Sequence, residues 1–345
     1  MHYARVHLGA LGYELPSEVV DSAVLESRLA PLYEHLRIAP GQLAYLTGIR
    51  TRRWWKPGQR LAPMAARAAQ KALGRAGVAS DELGAVVYGS VCRDDFEPAT
   101  ACEVAHILGV SGAAEVLDIG NACLGLLSGV IHVANLIELG HIQAGVVVGC
   151  ESAREINEAM IAEMLLERSM AHFTKAVATL TGGSAASAIV LTDGTVGREP
   201  LARLAGGVVR AEPRHHALCR WGPDRRNPAR QAMVMETDAV PIMREGVPMG
   251  QRTWQALLEE LSWQKPDLII SHQVGQSNRQ AILEAIGVPS EIDPVTYDQL
   301  GNTGSVAVPL TAALAEEQGL FRPGLRTAWL GIGSGLNCLM LGWEH

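Results

Sequence analysis

An α/β fold built from two similar halves is what the amino-acid sequence predicts, and three observations carry it. Apolar, strand-length runs alternate with helical segments, which implies right-handed crossovers and largely parallel sheets. The order of those segments repeats between the two halves of the chain. The strands around Val146 and Ile269 are continuous apolar runs, as in sheets covered on both faces. Stacked sheets with helices buried between them are expected, divided into residues 1–195 and 196–345. At 345 residues the chain suits either two domains or two halves sharing one large core.

The elements follow in order. In the first half a helical segment, Met64 to Ala76, leads to the strand Ala85-Val86-Val87-Tyr88-Gly89. A second strand, Val116-Leu117-Asp118, precedes the turn Asn121-Ala122-Cys123, a helix ending at Gly140, and the strand Ala144 to Gly149. In the second half the helical segment Val247 to Leu261 leads to Leu268-Ile269-Ile270-Ser271-His272. The strand Pro294-Val295-Thr296-Tyr297 is then expected, followed by the turn Gly301-Asn302-Thr303, a helix ending near Gly319, and the strand Thr327 to Gly331. The apolar stretch Ala122 to Leu139 approaches membrane-spanning length, but Gly125, Ser128, Gly129, His132 and Asn135 interrupt it. It reads as a helix buried on all sides.

Composition narrows the function. A net charge of −7 argues against nucleic acid as the main partner. The cations are mostly arginine, with Arg50 to Arg53 and Arg225-Arg226 as the places where a basic docking face could form. Six cysteines show no CxxC pair and no zinc-type spacing, so no metal is expected. The start, Met1-His2-Tyr3-Ala4-Arg5, has no secretory pattern, and a cytoplasmic protein with free thiols and no integral membrane segment is expected.

Four positions could carry chemistry. Cys123 follows a strand and opens a helix, where backbone N–H groups and the helix dipole favour a thiolate; the alternative is an inert buried thiol. The other five cysteines lack that context and read as structural. His272 ends an apolar strand, where α/β folds place their ligand crevice, and can donate to an oxyanion or relay a proton; it also reads as a hydrogen-bonded structural histidine. Asn302 is either part of a turn or a donor completing an oxyanion hole. The run Gly331-Ile332-Gly333-Ser334-Gly335 lets backbone approach a ligand but is no dinucleotide fingerprint. Glu97 lies in a charged loop, Arg93 to Thr100. A run of mostly small, apolar residues extends from Val177 to Ala188.

Five landmarks in this order resemble the thiolase superfamily, in its ketoacyl-carrier-protein synthase III branch, over essentially the whole chain: Leu46-Thr47-Gly48-Ile49-Arg50, Asn121-Ala122-Cys123, His272-Gln273, Gly301 to Pro309, and the glycine-rich C-terminal strand end. The resemblance implies a homodimer of five-layered αβαβα subunits. It implies that Cys123 takes an acyl group, that His272 and Asn302 activate and stabilise a second thioester, and that the backbone N–H groups of Cys123 and Ser334 form the other oxyanion hole. No permanently bound cofactor is implied; coenzyme A thioesters are substrates, with acyl-carrier protein as the alternative carrier. Within the branch, Arg93 to Pro98, Leu218-Cys219-Arg220 and Leu330 to Cys338 are similar to head-to-head acyl-CoA condensing enzymes of olefin biosynthesis. There a glutamate at the Glu97 position reaches the partner subunit's site and serves as base.

The pattern departs at one place. A tryptophan that stacks on the adenine of coenzyme A in the branch falls near Gln42, with Tyr45 the nearest aromatic, so coenzyme-binding residues stay unassigned. Trp54-Trp55 either covers a tunnel mouth or packs on its own loop. The expected reaction is a non-decarboxylative Claisen condensation of two acyl-CoAs. A decarboxylating synthase using malonyl-carrier protein, an acyltransferase to a hydroxyl or amine, and a non-catalytic subunit are the alternatives.

Overall fold

The computed structural model describes residues 1–345 apart from 111, 226, 228, 230 and 231. Arg226, half of the second arginine cluster, therefore lies outside the described residues. The first half contributes strands β1 (His7–Glu14), β2 (Glu18–Asp21), β3 (Thr51–Trp54), β4 (Leu83–Tyr88), β5 (Glu115–Asp118), β6 (Ala144–Glu151) and β7 (Ala185–Thr192). Its helices are α1 (Ser22–Arg28), α2 (Ala30–Leu36), α3 (Gln42–Thr47), α4 (Leu61–Ala76), α5 (Thr100–Leu108), α6 (Gly125–Glu138), α7 (Arg154–Leu166) and α8 (Met170–Ala176). The second half adds β8 (Ala202–Ala211), β9 (Cys219–Pro223), β10 (Met233–Thr237), β11 (Leu268–Ser271), β12 (Arg326–Gly333) and β13 (Asn337–Glu344). Its helices are α9 (Ala239–Leu261), α10 (Gln276–Ile286), α11 (Tyr297–Leu300) and α12 (Ala307–Glu317).

Among the described residues nine strands form one sheet in the order β11-β12-β13-β8-β1-β7-β6-β4-β5. Its two parts meet only at His7 opposite Arg203 and Leu8 opposite Ala202 on β1 and β8. They stack on either side of α6 and α12, whose side chains share one core with both: Leu127, Val130 and Leu310 pack with Val87, Ile189, Ile270 and Leu339. Trp329 and Trp343, both fully buried, meet there at 4.9 Å between ring centroids. Helices α4 and α5 cover the outer face of the first part, and α9 covers the second with α10 against it. The five expected layers are thus present, around one shared core.

Two expectations need correction. The sheet is mixed: β4 runs parallel to β5 and β6, and β11 to β12, while β6–β7, β7–β1, β1–β8, β8–β13 and β13–β12 are antiparallel. Alternation of helix and strand speaks only for strands joined by helices. Here β12 and β13 are joined by a short glycine turn, and β7 and β8 follow each other with no helix between them. Secondly, Pro294–Thr296 forms no strand, and Tyr297 opens α11. The apolar, β-branched Val295 and Thr296 look like a strand, but Pro294 has no N–H and no neighbouring strand takes the segment.

The stretch Ala122 to Leu139 becomes α6, covered on Leu126, Leu127, Val130, Val133, Ala134 and Ile137. Among the described residues no helix is long and apolar enough to cross a membrane. A further apolar cluster, of α1, α2, α7, α8 and β10, sits beside the sheet and walls the cavity described next.

Candidate active site

Cys123 is delivered by β5, whose chain turns sharply at Ala122, a residue in the left-handed region with φ +45°. That conformation costs an L-residue about 1–2 kcal/mol and is held by two short-range bonds: Leu124 N–H to Asn121 O at 2.8 Å and Gly125 N–H to Ala122 O at 3.2 Å. The start of α6 lies against the end of β4 with no side chain between them, since a Cβ on Gly125 would stand 2.2 Å from Gly89 O. Helix α6 begins at Gly125, so Cys123 precedes it. Burial decides its charge. It pushes the thiol up to about 12, with Cys219 and the Glu151 carboxylate adding to the rise. Burial thus favours the thiol, against the thiolate that the strand-to-helix position favours.

His272 follows β11, its N–H bonded to Leu330 O at 2.7 Å. Burial holds its imidazole down at about 4, so it is neutral at pH 7. Among the described residues neither ring nitrogen has a hydrogen-bond partner. The structural-histidine alternative loses its support, because a buried structural imidazole is normally hydrogen-bonded. Asn302 is zipped by its backbone to residues 181–183, donating to Thr181 O and accepting from Gly183 N at 2.8 Å each. Its Oδ1 accepts the Gly304 N–H at 3.0 Å, which turns the amide NH2 the other way.

Two side chains that the sequence reading left without a role position this machinery. Gln273 donates to Pro294 O at 2.6 Å and accepts from Thr296 N at 2.8 Å and Tyr297 N at 3.1 Å. Asp293, fully buried, accepts from Ser271 N at 3.0 Å and from Arg279 Nε at 2.7 Å. On the other side, Asn337 Nδ2 donates to Asn121 Oδ1 at 2.9 Å and binds the glycine-rich turn to the cysteine turn. A Cβ on Gly333 would stand 3.5 Å from Cys123 N.

Cys123, His272, Asn302 and Ser334 line one cavity of about 1070 Å³. That is the upper end for a small-molecule site. Its wall includes Tyr33, Ile38, Ile156, Phe173 and Val177, where Tyr33 and Phe173 meet edge to face at 5.9 Å. It also includes residues of α9 together with Ile282, Leu330 and Ile332. Thr179 and Thr181 also line it, whereas Ala185 to Ala188 are buried in β7, so the small-residue run is only partly tunnel wall. Arg220 and Arg225 stand on the wall.

Glu151 was missed altogether. This buried carboxylate at the end of β6 lines the cavity and accepts from Val91 N at 3.0 Å, Cys92 N at 3.1 Å and Ser305 Oγ at 2.5 Å. Its signal is a charged residue closing the otherwise apolar run of β6. Cys92 and Cys219 also line the cavity, so these two thiols are more than remote structural residues.

Glu97 is exposed on the loop after β4 and does not line the cavity of its own chain. Its neighbour Phe96 is fully exposed. Trp54 and Trp55 are buried at 3% and 5% exposure and do not themselves line the cavity, Trp55 donating to Glu151 O at 3.0 Å. Both readings of that pair, as tunnel cover and as surface aromatics, are thereby corrected. The first arginine cluster is no open basic face either: Arg52 is fully buried and Arg50 pairs with Asp298 at 2.8 Å. Gln42 lines the cavity, and Tyr45 is 79% exposed.

Residues 56–196 match the family Thiolase, N-terminal domain, and residues 258–343 match 3-Oxoacyl-[acyl-carrier-protein (ACP)] synthase III C terminal. The chain is 50% identical to an acyl-CoA:acyl-CoA alkyltransferase of Shewanella oneidensis over 99% of both chains. It is 31% identical to one of Xanthomonas campestris pv. campestris, over 99% of this chain and 98% of the relative. It superposes on cerulenin-bound Xanthomonas campestris OleA with a TM-score of 0.94, at 30% identity over 100% of this chain and 98% of that one. OleA solved with lauric acid and lauroyl-CoA gives 0.91, over 99% of this chain and 100% of that one. The chain therefore belongs to the acyl-CoA:acyl-CoA alkyltransferase family, acyltransferases of the thiolase fold.

Proposed function

We propose that the protein joins two acyl-CoAs head to head by a non-decarboxylative Claisen condensation. The Cys123 sulfur bonds to the first acyl carbonyl, and coenzyme A leaves with the thiol proton. Because Cys123 rests as a thiol, a proton acceptor is needed; the neutral His272, with free ring nitrogens, suits that relay. Glu97 of a second copy then takes the α-proton of the second acyl-CoA. His272 and the Asn302 amide donate to the enolate oxygen, and the carbanion attacks the Cys123 thioester. The N–H groups of Cys123 and Ser334 hold the tetrahedral oxyanion, which collapses to expel the cysteine sulfur. The product is a 2-alkyl-3-ketoacyl thioester, or its β-keto acid after hydrolysis. No bound cofactor takes part, and Arg220 and Arg225 suit coenzyme A phosphates.

The observation that carries this reading is a single, largely apolar cavity of about 1070 Å³ lined by Cys123, His272 and Asn302, a volume that suits two acyl chains. Glu97 supports a homodimer: it is exposed and does not line its own chain's cavity, as suits a residue that acts in a second copy. The division at residues 195 and 196 fits this reading, the nucleophile lying in the first half and the two donors in the second. The synthase III match over residues 258–343 favours a second reading, decarboxylative condensation with a malonyl-carrier protein. That reaction generates its carbanion by losing carbon dioxide, and it leaves Glu97 dispensable.

Incubation of wild type and Glu97→Ala with myristoyl-CoA alone separates them. Free thiol and condensed product are followed together. Condensation by wild type, lost in Glu97→Ala while Cys123 still acylates, is the expected result. Acylation without condensation by wild type would sink the head-to-head reading.

A further inference from the structure

One glycine of the cavity wall has no structural reason to be glycine. Helix α9 turns Ala239, Ile242, Met243, Gly246 and Val247 to the cavity, the spacing of a single helix face. A glycine inside a helix weakens it relative to alanine, through the extra backbone freedom lost on folding. Three needs would justify one: a left-handed φ, a close approach, or a bend. Gly246 is not among the residues of positive φ. A Cβ built on it meets only Ile332 Cγ2, at 3.9 Å. One turn later on the same face, Gly250 differs, because a Cβ there would strike Ile282 Cδ1 at 2.6 Å and Ile332 Cδ1 at 2.8 Å. Any bend of α9 has its own cause in Pro248, which cannot donate to the carbonyl one turn back, so it asks nothing of Gly246.

Gly246 is nevertheless buried, so the space before it is cavity rather than bulk solvent. Any side chain at 246 would project into the cavity beside Ile332. We infer that Gly246 is a specificity-determining residue: its missing side chain sets how long an acyl chain the α9 side of the cavity admits. The inference rests on the proposed two-chain condensation, with one chain running along α9 past Gly246 and the other lying against Tyr33 and Phe173.

The test is a size series, Gly246→Ala, Gly246→Val and Gly246→Leu, in the full-length protein. Each variant receives octanoyl-CoA, myristoyl-CoA, and an equal mixture of the two. The ratio of kcat/KM for myristoyl over octanoyl is expected to fall stepwise with side-chain size, by about 10- to 100-fold at leucine. In the mixture, Gly246→Leu should lose the product of two myristoyl chains while keeping the product of one long and one short chain. Gly246→Ala should melt at or above the wild-type temperature, because no packing is disturbed and helix propensity improves. An unchanged length profile, or equal loss of mixed and double-long products, overturns the inference while the condensation reading stands. Failure of the wild type to condense any chain removes the reading itself, and the inference with it.

Discussion

The turn that carries Cys123 and the turn that carries Asn302 occupy corresponding places in the two halves, yet they are held by different means. In the first half β5 pairs in parallel with β4 from Ala85–Glu115 to Tyr88–Asp118, and this backbone ladder carries the chain to Cys123. In the second half the equivalent strand is missing. Gln273 takes over the backbone groups of Pro294, Thr296 and Tyr297, and Asp293 ties the same segment to β11 through Ser271. A ladder of peptide groups is nearly indifferent to side-chain identity. A side-chain hold is lost with one substitution. The Asn302 side of this site is therefore the more fragile of the two.

Removing what each turn presents gives the largest effects. Cys123→Ala is expected to abolish the acyl-enzyme and cut turnover by roughly 10⁴-fold or more. Asn302→Ala should lower kcat by about 10²- to 10³-fold while Cys123 still acylates, which intact-protein mass spectrometry reads directly. Loss of acylation in Asn302→Ala would merge two roles that the two turns are taken to divide.

Removing the hold itself sharpens the contrast. Gln273→Ala leaves one carbonyl and two N–H groups short of a partner, so a stability loss of at least about 2 kcal/mol is expected. A fall in kcat of about tenfold should accompany it as Asn302 drifts from position. The counterpart in the first half, Val116→Ala, spares the β5 backbone bonds. It should cost about 1–2 kcal/mol with kcat unchanged. Chemical denaturation with parallel kinetics measures both, and an equal kcat loss in the two variants would erase the distinction.

The smallest effects on rate are expected from pH, because burial keeps both Cys123 on the first turn and His272 at the end of β11 uncharged near neutrality. The His272 pKa, about 4, lies below the ordinary value of 6.5, so the unfolded chain binds the extra proton between those values. Stability contributed by the neutral ring is complete above about pH 6.5 and is lost as pH falls toward 4, by up to about 3 kcal/mol, less where cavity water screens the ring. Melting temperatures from pH 4 to 8 should show that slope, and His272→Asn should flatten it. On the alkaline side the raised Cys123 thiol predicts alkylation that keeps accelerating well beyond pH 9. A plateau near pH 9 would contradict the effect of burial.

Cys123, His272 and Asn302 stood out as candidates because each follows a strand or turn that repeats in the two halves, and strand ends are where α/β folds work. Ser334 came from the resemblance to the synthase III branch. Gln273, Asp293 and Glu151 were not legible in those roles, since a buried polar side chain takes its meaning from neighbours distant in sequence, such as Pro294 for Gln273 or Ser305 for Glu151. Val295-Thr296 misled because β-branched residues report a preference, and pairing needs a neighbour. Arg52 misled because charge suggests surface, whereas its guanidinium lies fully buried with Nη2 donating to Ser22 Oγ at 3.0 Å.

The contact of Gly89 with Gly125 bears on how such a protein can change over time. Because peptide groups set the distance between the end of β4 and the start of α6, the position of Cys123 is insulated from substitutions along the cavity wall. Descendants of this chain are free to exchange residues such as Phe173 or Met243 and so try other acyl groups, without the reacting sulfur shifting at each step. The cost falls on two positions, where neither glycine can be replaced unless the other backbone moves. Invention in the tunnel and conservatism at the sulfur are thus two consequences of one close approach.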